Sequence, residues 1–380
     1  AYEIMPSLVG SEMCIRDSGC GAVGCFTAYR LAAMGLSVTL IDQEGPGAGA
    51  TGNSAGNVQP ASGDDDSSKI ILGAESLTLW RKHLPHISEV GGIDYQDQDV
   101  HYLYAAIDQT EELNVRRILT DVIAAGLRAE WVDGDSARKL EPRLSESITG
   151  GMLHHDCIQM DPKLLMVALS KTAEAEGAAI LRDTKATGLS LVGGRVNGVK
   201  LENGNTLQCS SVVIATGAWT LKALSDWLGY KLPVEPYGLQ KVHMGLGSAP
   251  PLNCAIRWNG VNIVCRKDGL VHAGSRFDPN GFDAKPSSDS ERWLLDQVAK
   301  IVPGFEPASV ENIAAFAAST RRRIPIVGAL PRTAGIYLAV PSTDGFLMAA
   351  VLADMTANLM VNGQKHEMMD LSAIALSKPL

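Results

Sequence analysis

A glycine cluster near the start of the chain constrains its fold more than any other feature. Gly19, Gly21 and Gly24 form the pattern G-x-G-x-x-G, and the helical pattern after them ends at Gly35. Glycines in this spacing allow a tight turn, close approach of a pyrophosphate to the backbone, and close packing of a helix on a strand. Amides at the helix start then face the phosphates. The cluster therefore predicts a nucleotide-binding unit of strand, helix and strand.

An acidic residue after the next strand supports this interpretation. The β-branched run at residues 38–41 ends in Asp42, which lies 18 residues past the third glycine. An acid at this place accepts hydrogen bonds from a ribose. The motif alone fits NAD as well as FAD. Residues 45–56, rich in Gly, Ala, Ser and Asn, are expected to form a loop that enters a helix.

The leader before the glycine cluster does not resemble a secretory signal. Glu12, Arg16 and Asp17 interrupt any apolar segment, and no basic start precedes one. Residues 6–18 instead resemble translated sequencing-adapter read-through. We therefore expect the native chain to begin near Gly19, with its first strand lost or replaced.

Length and composition limit the class of protein. At 380 residues the chain exceeds the roughly 250–300 residues at which a single core stops growing, so we expect two interleaved domains. The formal charge of −9 argues against a nucleic-acid partner, because such binding needs clustered Lys and Arg. No stretch of about 18 apolar residues appears, so no transmembrane helix is expected. The seven cysteines are odd in number and contain no C-x-x-C pair, which favours reduced thiols in a cytoplasmic protein.

Local patterns predict several later elements. Asp161, followed by proline, is a helix start. Residues 189–201 have the pattern of a hairpin, and residues 232–277 that of an antiparallel sheet. A final helix is expected with Asp344 as its N-cap and the Asn-Gly pair at 362–363 as its end.

Four segments carry a resemblance to a known family. They are the loop G-A-G-A-T-G-N-S-A-G at 47–56, the strand and turn V-I-A-T-G-A-W at 213–219, the segment L-P-V-E-P-Y-G-L-Q at 232–240, and I-P-I-V-G at 324–328 followed by S-T-D-G at 342–345. From Gly19 to about Gly363 the chain resembles the D-amino acid oxidase superfamily of FAD-dependent flavoproteins, especially its glycine oxidase and D-amino acid dehydrogenase branch.

The resemblance implies an α/β fold, more exactly α+β in two domains. A Rossmann-like FAD-binding domain with a parallel sheet would interleave with a substrate domain built on an antiparallel sheet. We expect the FAD-binding domain at residues 19–85, 151–230 and 321–365, and the substrate domain at residues 86–150 and 231–320.

The same resemblance implies a set of cofactor-binding residues. FAD is expected to be held noncovalently, because neither Cys254 nor Cys265 lies where related sarcosine oxidases attach their flavin. The expected FAD-binding residues are Gly19, Gly21, Ala22, Val23, Gly24, Asp42, Gln43, Ala50, Thr51, Asn53, Ser54, Ala55, Gly56, Asn57, Ala186, Thr216, Gly217, Trp219, Asp344, Gly345, Phe346 and Leu347.

The implied reaction is oxidation of the C–N bond of a small amino acid or secondary amine. A neutral amine would lose hydride from its α-carbon to flavin N5, and the imine would hydrolyse. Oxygen or a quinone would accept the electrons, and the chain could form a homo-oligomer. Two alternatives stay open: an FAD-dependent dehydrogenase of another small acid, and a flavin-fold protein that binds ligand without turnover.

The chain departs from the family at the expected substrate side. The arginine that usually holds the substrate carboxylate falls on Ala317 in an ungapped alignment, whereas a short deletion makes Arg321 the candidate. Gly238 replaces the arginine of an R-G-Q segment, and Asn262 replaces a tyrosine often found near the substrate. Arg266 is expected to be structural.

A metal site is not expected. The sequence His154-His155-Asp156 contains ligand types, but adjacent histidines point apart on a strand and no third ligand has suitable spacing.

Overall fold

The computed structural model describes residues 12–16, for which only the backbone is described, and residues 19–61, 67–232, 234–320 and 323–364. Its strands are β1 (Glu12–Arg16), β2 (Ser37–Ile41), β3 (Asn57–Val58), β4 (Gln98–Ala106), β5 (Ala129–Asp133), β6 (Gly150–Gln159), β7 (Ala179–Leu181), β8 (Ala186–Val192), β9 (Arg195–Leu201), β10 (Thr206–Gln208), β11 (Ser211–Ile214), β12 (Val234–Gly245), β13 (Ala255–Trp258), β14 (Val261–Cys265), β15 (Leu270–Asp278), β16 (Ser309–Thr320), β17 (Ile326–Ala329) and β18 (Ile336–Val340). Its α-helices are α1 (Ala22–Ala33), α2 (Ser67–Gly91), α3 (Gln109–Ala124), α4 (Gly134–Leu140), α5 (Pro162–Ala175), α6 (Thr220–Leu228), α7 (Ser288–Ile301) and α8 (Gly345–Asn362).

A six-stranded sheet carries the glycine cluster. Its order is β17-β18-β11-β1-β2-β7, and every neighbouring pair is parallel except β17 with β18. Residues 12–16, from the segment expected to have lost or replaced the first strand, pair with both β2 and β11 in the middle of this sheet. The predicted strand, helix and strand unit is therefore present, with α1 joining two parallel neighbours.

Alternation along β11 separates the two faces of this sheet. Val213 points into a core shared with α1, α2, α5 and α8. Val212 and Ile214 point into the opposite core, which includes residues of β8, β9 and α6. Helices thus cover one face of the sheet, and the small three-stranded sheet β10-β9-β8 covers the other.

The larger sheet confirms the predicted antiparallel sheet over residues 232–277. β12 pairs antiparallel with β15 and β16, β14 with β13 and β15, and β4 joins β13 in parallel. The sheet continues through β6 to β3. On β12 the side chains of Val242 and Met244 pack against α7 in one core. The odd-numbered side chains of this strand therefore point to the opposite face of the sheet.

The expected domain boundaries stay a prediction. β6 belongs to the larger sheet, which favours moving the expected boundary at 150/151 to the end of this strand. The helix predicted at Asp161 is confirmed, since its carboxylate accepts hydrogen bonds from the amides of Lys163 and Leu164 at 2.8 and 2.9 Å. The predicted hairpin is confirmed as β8 and β9.

Two local expectations were wrong. The loop at residues 45–56 leads into the short strand β3, not into a helix, because its turns are closed by bonds such as Gly52 N to Gly47 O (3.0 Å) and do not propagate. Asp344 precedes α8 but makes no side-chain cap. Its carboxylate lies 2.5 Å from Lys69 Nζ instead.

Helix α8 lies in the core. By length and composition it is the one helix of the described ranges that could cross a membrane. Of its residues, 61% are buried, and the helix packs on α1 and α2. It ends, as predicted, at Gly363, which has the left-handed conformation. Such burial is that of the central helix of a folded domain.

Candidate cofactor and substrate cleft

The starts of two helices from opposite ends of the chain line one cleft of about 430 Å³. Helical hydrogen bonding begins where Cys25 N donates to Gly21 O and where Met348 N donates to Asp344 O, both at 3.0 Å. The amides before these points have no acceptor within their helices. Both helix starts therefore present N–H groups and positive dipole ends toward a common space.

A glycine-rich loop forms one wall of the cleft with its backbone. A Cβ on Gly52 would lie 2.2 Å from Gly47 O, and a Cβ on Gly56 would lie 1.9 Å from Met160 O. Thr51 Oγ1 accepts a hydrogen bond from the amide of Ala22 at 3.1 Å, which ties the loop to the start of α1. Both contacts are with protein backbone, so glycine at these two positions lets the loop pack closely on itself and on the residues before α5.

A second cleft of about 200 Å³ adjoins the first. The two share Gly21, Gly49, Ala50 and Trp219 among their lining residues, so together they form one elongated space. The narrower end is lined by Asp42, the acid predicted to meet a ribose. The ligand that fits such a space is long and has different groups at its two ends.

Asp42 also organises the glycine turn. Its Oδ2 accepts a hydrogen bond from Cys20 N at 3.0 Å, and its Oδ1 accepts from Glu44 N and Gly45 N, both at 2.8 Å. A carboxylate offers about four acceptor positions. Three are used by the backbone, so Asp42 holds two loops together and retains limited capacity for a ligand hydroxyl.

Most residues predicted from the sequence line these clefts. The first cleft is lined by Gly21, Ala22, Val23, Ala50, Thr51, Ser54, Ala55, Gly56, Asn57, Thr216, Gly217, Trp219, Asp344, Gly345, Phe346 and Leu347. The second is lined by Gly21, Asp42, Gln43, Ala50, Asn53 and Trp219.

Three predicted cofactor residues do not line either cleft. Gly19 and Gly24 serve the packing of the turn, because a Cβ on Gly24 would lie 1.6 Å from Gly19 O. Ala186 is buried among residues of β8, β9 and β11. The carboxylate-binding candidate Arg321 lies outside the described residues. Ala317, its ungapped alternative, lines the first cleft.

Aromatic side chains cover the cleft on the side of the larger sheet. Tyr237 and Phe277 stack with ring centroids 4.5 Å apart, and Trp219 stacks on Phe282 at 5.1 Å. Tyr237, Phe277 and Trp219 all line the first cleft. Aromatic surfaces of this kind exclude water and present flat faces to a planar ligand.

The charged side chains that line the first cleft are mostly basic. Among the described residues they are Lys69, Lys241, Arg257 and Arg323, with Asp344 as the acid. Lys241 is 3% exposed and donates to the backbone carbonyl of Asn53. Burial lowers the pKa of Lys241 to about 8. This end of the cleft therefore favours an anionic ligand.

A pair of histidines leads away from the same wall. His272 lines the first cleft, and its Nδ1 lies 3.2 Å from Nε2 of the half-buried His243. Burial lowers the pKa of His272 well below its usual value, and burial with the nearby Lys241 lowers that of His243 to about 4. Both rings are therefore neutral near pH 7, and a neutral imidazole has one nitrogen that donates and one that accepts a hydrogen bond.

Sequence reasoning missed Lys241, Arg257 and His272. Lys241 follows Tyr237 and Leu239 at intervals of two along β12, and all three line the cleft. That alternation was the available signal. It shows that the three side chains lie on the same face of the strand, but it does not show that this face borders a cleft.

Two further expectations concern residues outside the clefts. Arg266 contacts Asp161 at the start of α5 and lies 2.6 Å from Asp268, a pattern that supports a structural role. In the His154-His155-Asp156 segment, Asp156 binds Arg128 at 2.7 Å. The described part of the chain contains no group of three His, Cys, Asp or Glu side chains placed to hold a metal ion.

Comparison with known proteins gives a family match over most of the chain. The model of the DAO family, described as FAD dependent oxidoreductase, matches residues 19–359. Glycine oxidase from Geobacillus kaustophilus is 26% identical over 95% of this chain and 95% of that enzyme. Hydrogen cyanide synthase subunit HcnC from Pseudomonas aeruginosa is 23% identical over 92% of this chain and 91% of that protein.

Solved structures show the same fold. The crystal structure of glycine oxidase from Geobacillus kaustophilus superposes with a TM-score of 0.86 at 24% identity, covering 97% of this chain and 99% of that one. L-proline dehydrogenase from P. horikoshii gives a TM-score of 0.83 at 23% identity, with 94% of each chain covered. The predicted fold class, a parallel-sheet domain interleaved with one built on an antiparallel sheet, is thereby confirmed.

Proposed function

The chain belongs to the DAO family of FAD-dependent oxidoreductases, and from this premise we propose that it oxidises the C–N bond of a small amino acid or secondary amine. The observation that carries the proposal is the single elongated cleft, with the starts of two helices along one wall and cations, aromatic rings and a neutral histidine along another. The first wall fits a dinucleotide, and the second fits a small anionic amine.

The lining residues fit FAD in chemistry and in space. The amides at the starts of α1 and α8 suit phosphates and the polar edge of a flavin ring. Gly21 and Gly49 line both clefts, and the absence of a side chain at these positions lets a ligand approach the backbone closely. Asp42 lies at the end expected for the ribose. Bound FAD supplies a two-electron acceptor.

Noncovalent binding of FAD is part of the proposal. Covalent attachment through cysteine would need a thiol at the cleft. Among the described residues no cysteine lines either cleft, and Cys254 is buried in the core on the other face of the larger sheet.

The cleft residues have distinct roles in the proposed reaction. Basic side chains bind the substrate carboxylate, and the aromatic rings exclude water from the reacting carbon. The amine reacts in its neutral form, and His272 lines the cleft as a neutral ring that can accept a hydrogen bond from that amine. Hydrolysis of the imine product then gives an oxo acid or aldehyde and an amine.

The electron acceptor, the cellular location and the oligomeric state of the protein are also part of the proposal. We propose oxygen or a quinone as the final electron acceptor and formation of a homo-oligomer as consistent with the family. A cytoplasmic location is supported by the six free cysteines of the described residues, because thiols stay reduced in that compartment.

The test is anaerobic reduction of the FAD-loaded protein. Purified protein is supplied with FAD and then mixed with glycine, N-methylglycine, D-alanine, proline and, as a nitrogen-free small acid, lactate. The proposal predicts bleaching of the flavin absorbance by at least one amine and none by lactate. Bleaching by lactate alone would favour a dehydrogenase of another small acid, and bound flavin that no amine bleaches would contradict the proposal. Reoxidation by air or by a soluble quinone then identifies the acceptor.

A further inference from the structure

The sheet wall of the first cleft changes character along β12. Tyr237, Leu239 and Lys241 follow one another at intervals of two residues, and all three line the cleft. Two residues of a strand span about 7 Å, so the backbone positions of Tyr237 and Lys241 are separated by roughly 14 Å. Lys241 gives the wall a cationic end, whereas Tyr237 and Leu239 give it an apolar end. A ligand that matches this wall has an anionic group and an apolar group.

An aromatic ring on the neighbouring strand widens the apolar end. Phe277 on β15 is in register with Leu239, and its ring stacks on that of Tyr237 with centroids 4.5 Å apart. Phe277 lines the cleft and is 52% exposed. Covering such a large apolar side chain with an apolar ligand group removes its surface from water, which favours binding.

Small side chains on the opposite neighbouring strand leave space next to these rings. Ala317 and Ala315 on β16 are in register with Tyr237 and Leu239, and both line the first cleft. A larger side chain at either position would extend into the cleft. We call these five residues of three adjacent strands the apolar patch: Tyr237, Leu239, Phe277, Ala315 and Ala317.

We propose that the substrate is an amino acid that carries an aromatic ring, with its carboxylate toward Lys241 and its ring packed on the apolar patch. This inference rests on the proposed amine oxidation and specifies its substrate class. The Lys241 ammonium has three donors, of which the bond to the Asn53 carbonyl uses one. Tyr237 and Phe277 offer the offset-stacked and edge contacts that aromatic rings prefer. Holding the substrate at both ends orients its α-carbon.

The experiment compares two ligands that differ by one phenyl ring. N-benzylglycine and N-methylglycine share the secondary amine and the carboxymethyl group. FAD-loaded protein is titrated anaerobically with each, and the dissociation constant is taken from the initial perturbation of the flavin spectrum, before any bleaching. Burial of the ring on the apolar patch predicts that N-benzylglycine binds about 10- to 100-fold more tightly.

Two variants assign this preference to the apolar patch. Phe277→Ala removes a ring and Ala317→Leu fills the space beside Tyr237, so each is expected to reduce the preference to less than about threefold. Leu113→Ala is the control, because Leu113 is an exposed apolar side chain on α3 that lines neither cleft. It should keep the full preference. Bound flavin per chain checks that each variant folds.

The outcomes separate this inference from the proposed function. Equal affinity of the unmodified protein for both ligands overturns the inference, even where both ligands bleach the flavin and support amine oxidation. Tighter binding of N-benzylglycine without bleaching by any amine supports the aromatic subsite and contradicts amine oxidation. A preference that survives both Phe277→Ala and Ala317→Leu overturns the assignment to the apolar patch. Equal affinity together with slower reoxidation of Phe277→Ala by a soluble naphthoquinone would assign the patch to the electron acceptor instead.

Discussion

The two walls of the cleft are built in different ways. The wall at the glycine cluster is made mainly of backbone: the starts of α1 and α8, and a loop in which a Cβ added to Gly56 or Gly52 would lie 1.9 or 2.2 Å from a carbonyl oxygen. The wall on the larger sheet is made of side chains that four strands bring into one row. The first wall depends on the absence of side chains and the second on their identity. A substitution should therefore affect cofactor binding or substrate selection according to the wall on which it falls.

The largest effect is expected from Gly24→Val. The new side chain would meet the backbone of Gly19, which cannot move without displacing the turn. We expect a loss of several kcal/mol in the free energy of unfolding and loss of FAD binding. Thermal unfolding and bound flavin per chain measure both.

The control for this substitution is Gly188→Ala. Its Cβ would have ordinary contact, 3.6 Å from Lys200 Cδ. A Gly24→Val protein that binds FAD as well as this control would show that the turn behind the backbone wall tolerates a side chain.

Lys241→Met is expected to change stability in a way that depends on pH. Burial lowers the pKa of Lys241 to about 8 in the folded protein, whereas an unfolded lysine titrates near 10.4. The unfolded chain therefore binds more protons between these values, so the unmodified protein gains stability relative to the variant as pH rises from about 8 to 10. The full difference is on the order of 3 kcal/mol.

Urea unfolding of both apoproteins at pH 7, 9 and 10 measures this gain. A stability difference that stays constant across the three pH values would show that Lys241 is solvated in the folded protein.

Asp344→Asn tests an ion pair at the start of α8, on the backbone wall. The substitution removes the carboxylate 2.5 Å from Lys69 Nζ, and the Lys69 side chain is 8% exposed. Removing this partner of a buried cation is expected to lower the free energy of unfolding by about 1–3 kcal/mol. We expect the binding free energy of FAD to fall by a similar amount. Isothermal titration with FAD measures the change. Unchanged affinity would place the ion pair outside the cofactor site.

The smallest effect is expected from Asn262→Ala. It removes one hydrogen bond to Arg257, 3.0 Å long, which is worth about 1 kcal/mol. We expect roughly fivefold weaker binding of an anionic amine such as N-methylglycine and no change in FAD affinity. A parallel loss of FAD affinity would contradict the separation between the two walls.

The same contrast explains what the sequence could predict. Gly19, Gly21 and Gly24 are close in sequence and were needed for a local turn, so their pattern indicated the nucleotide-binding unit directly. Asp42 was found by its spacing, although the structure shows it binding three backbone amides as well. Family resemblance supplied the turn at Asp344, which lies far along the chain and has no local signal linking it to the glycines.

The sheet wall could not be predicted in this way. Arg257 and Lys241 meet one cleft because of the register between β13, β14, β15 and β12, and register over several strands depends on tertiary packing. The side-chain cap expected at Asp344 failed for a similar reason, because Lys69 from α2 competes for its carboxylate. Pairings between distant segments leave no spacing that a single sequence reveals.

Titration of the purified protein with FAD and with FMN tests the central claim most directly, since FMN lacks the adenosine that would reach Asp42. The account predicts one FAD per chain, with FMN bound at least 100-fold more weakly because it fills only the wider part of the elongated cleft. Equal affinity for the two flavins, or no flavin absorbance after FAD is added, would contradict a single cofactor lying along both helix starts.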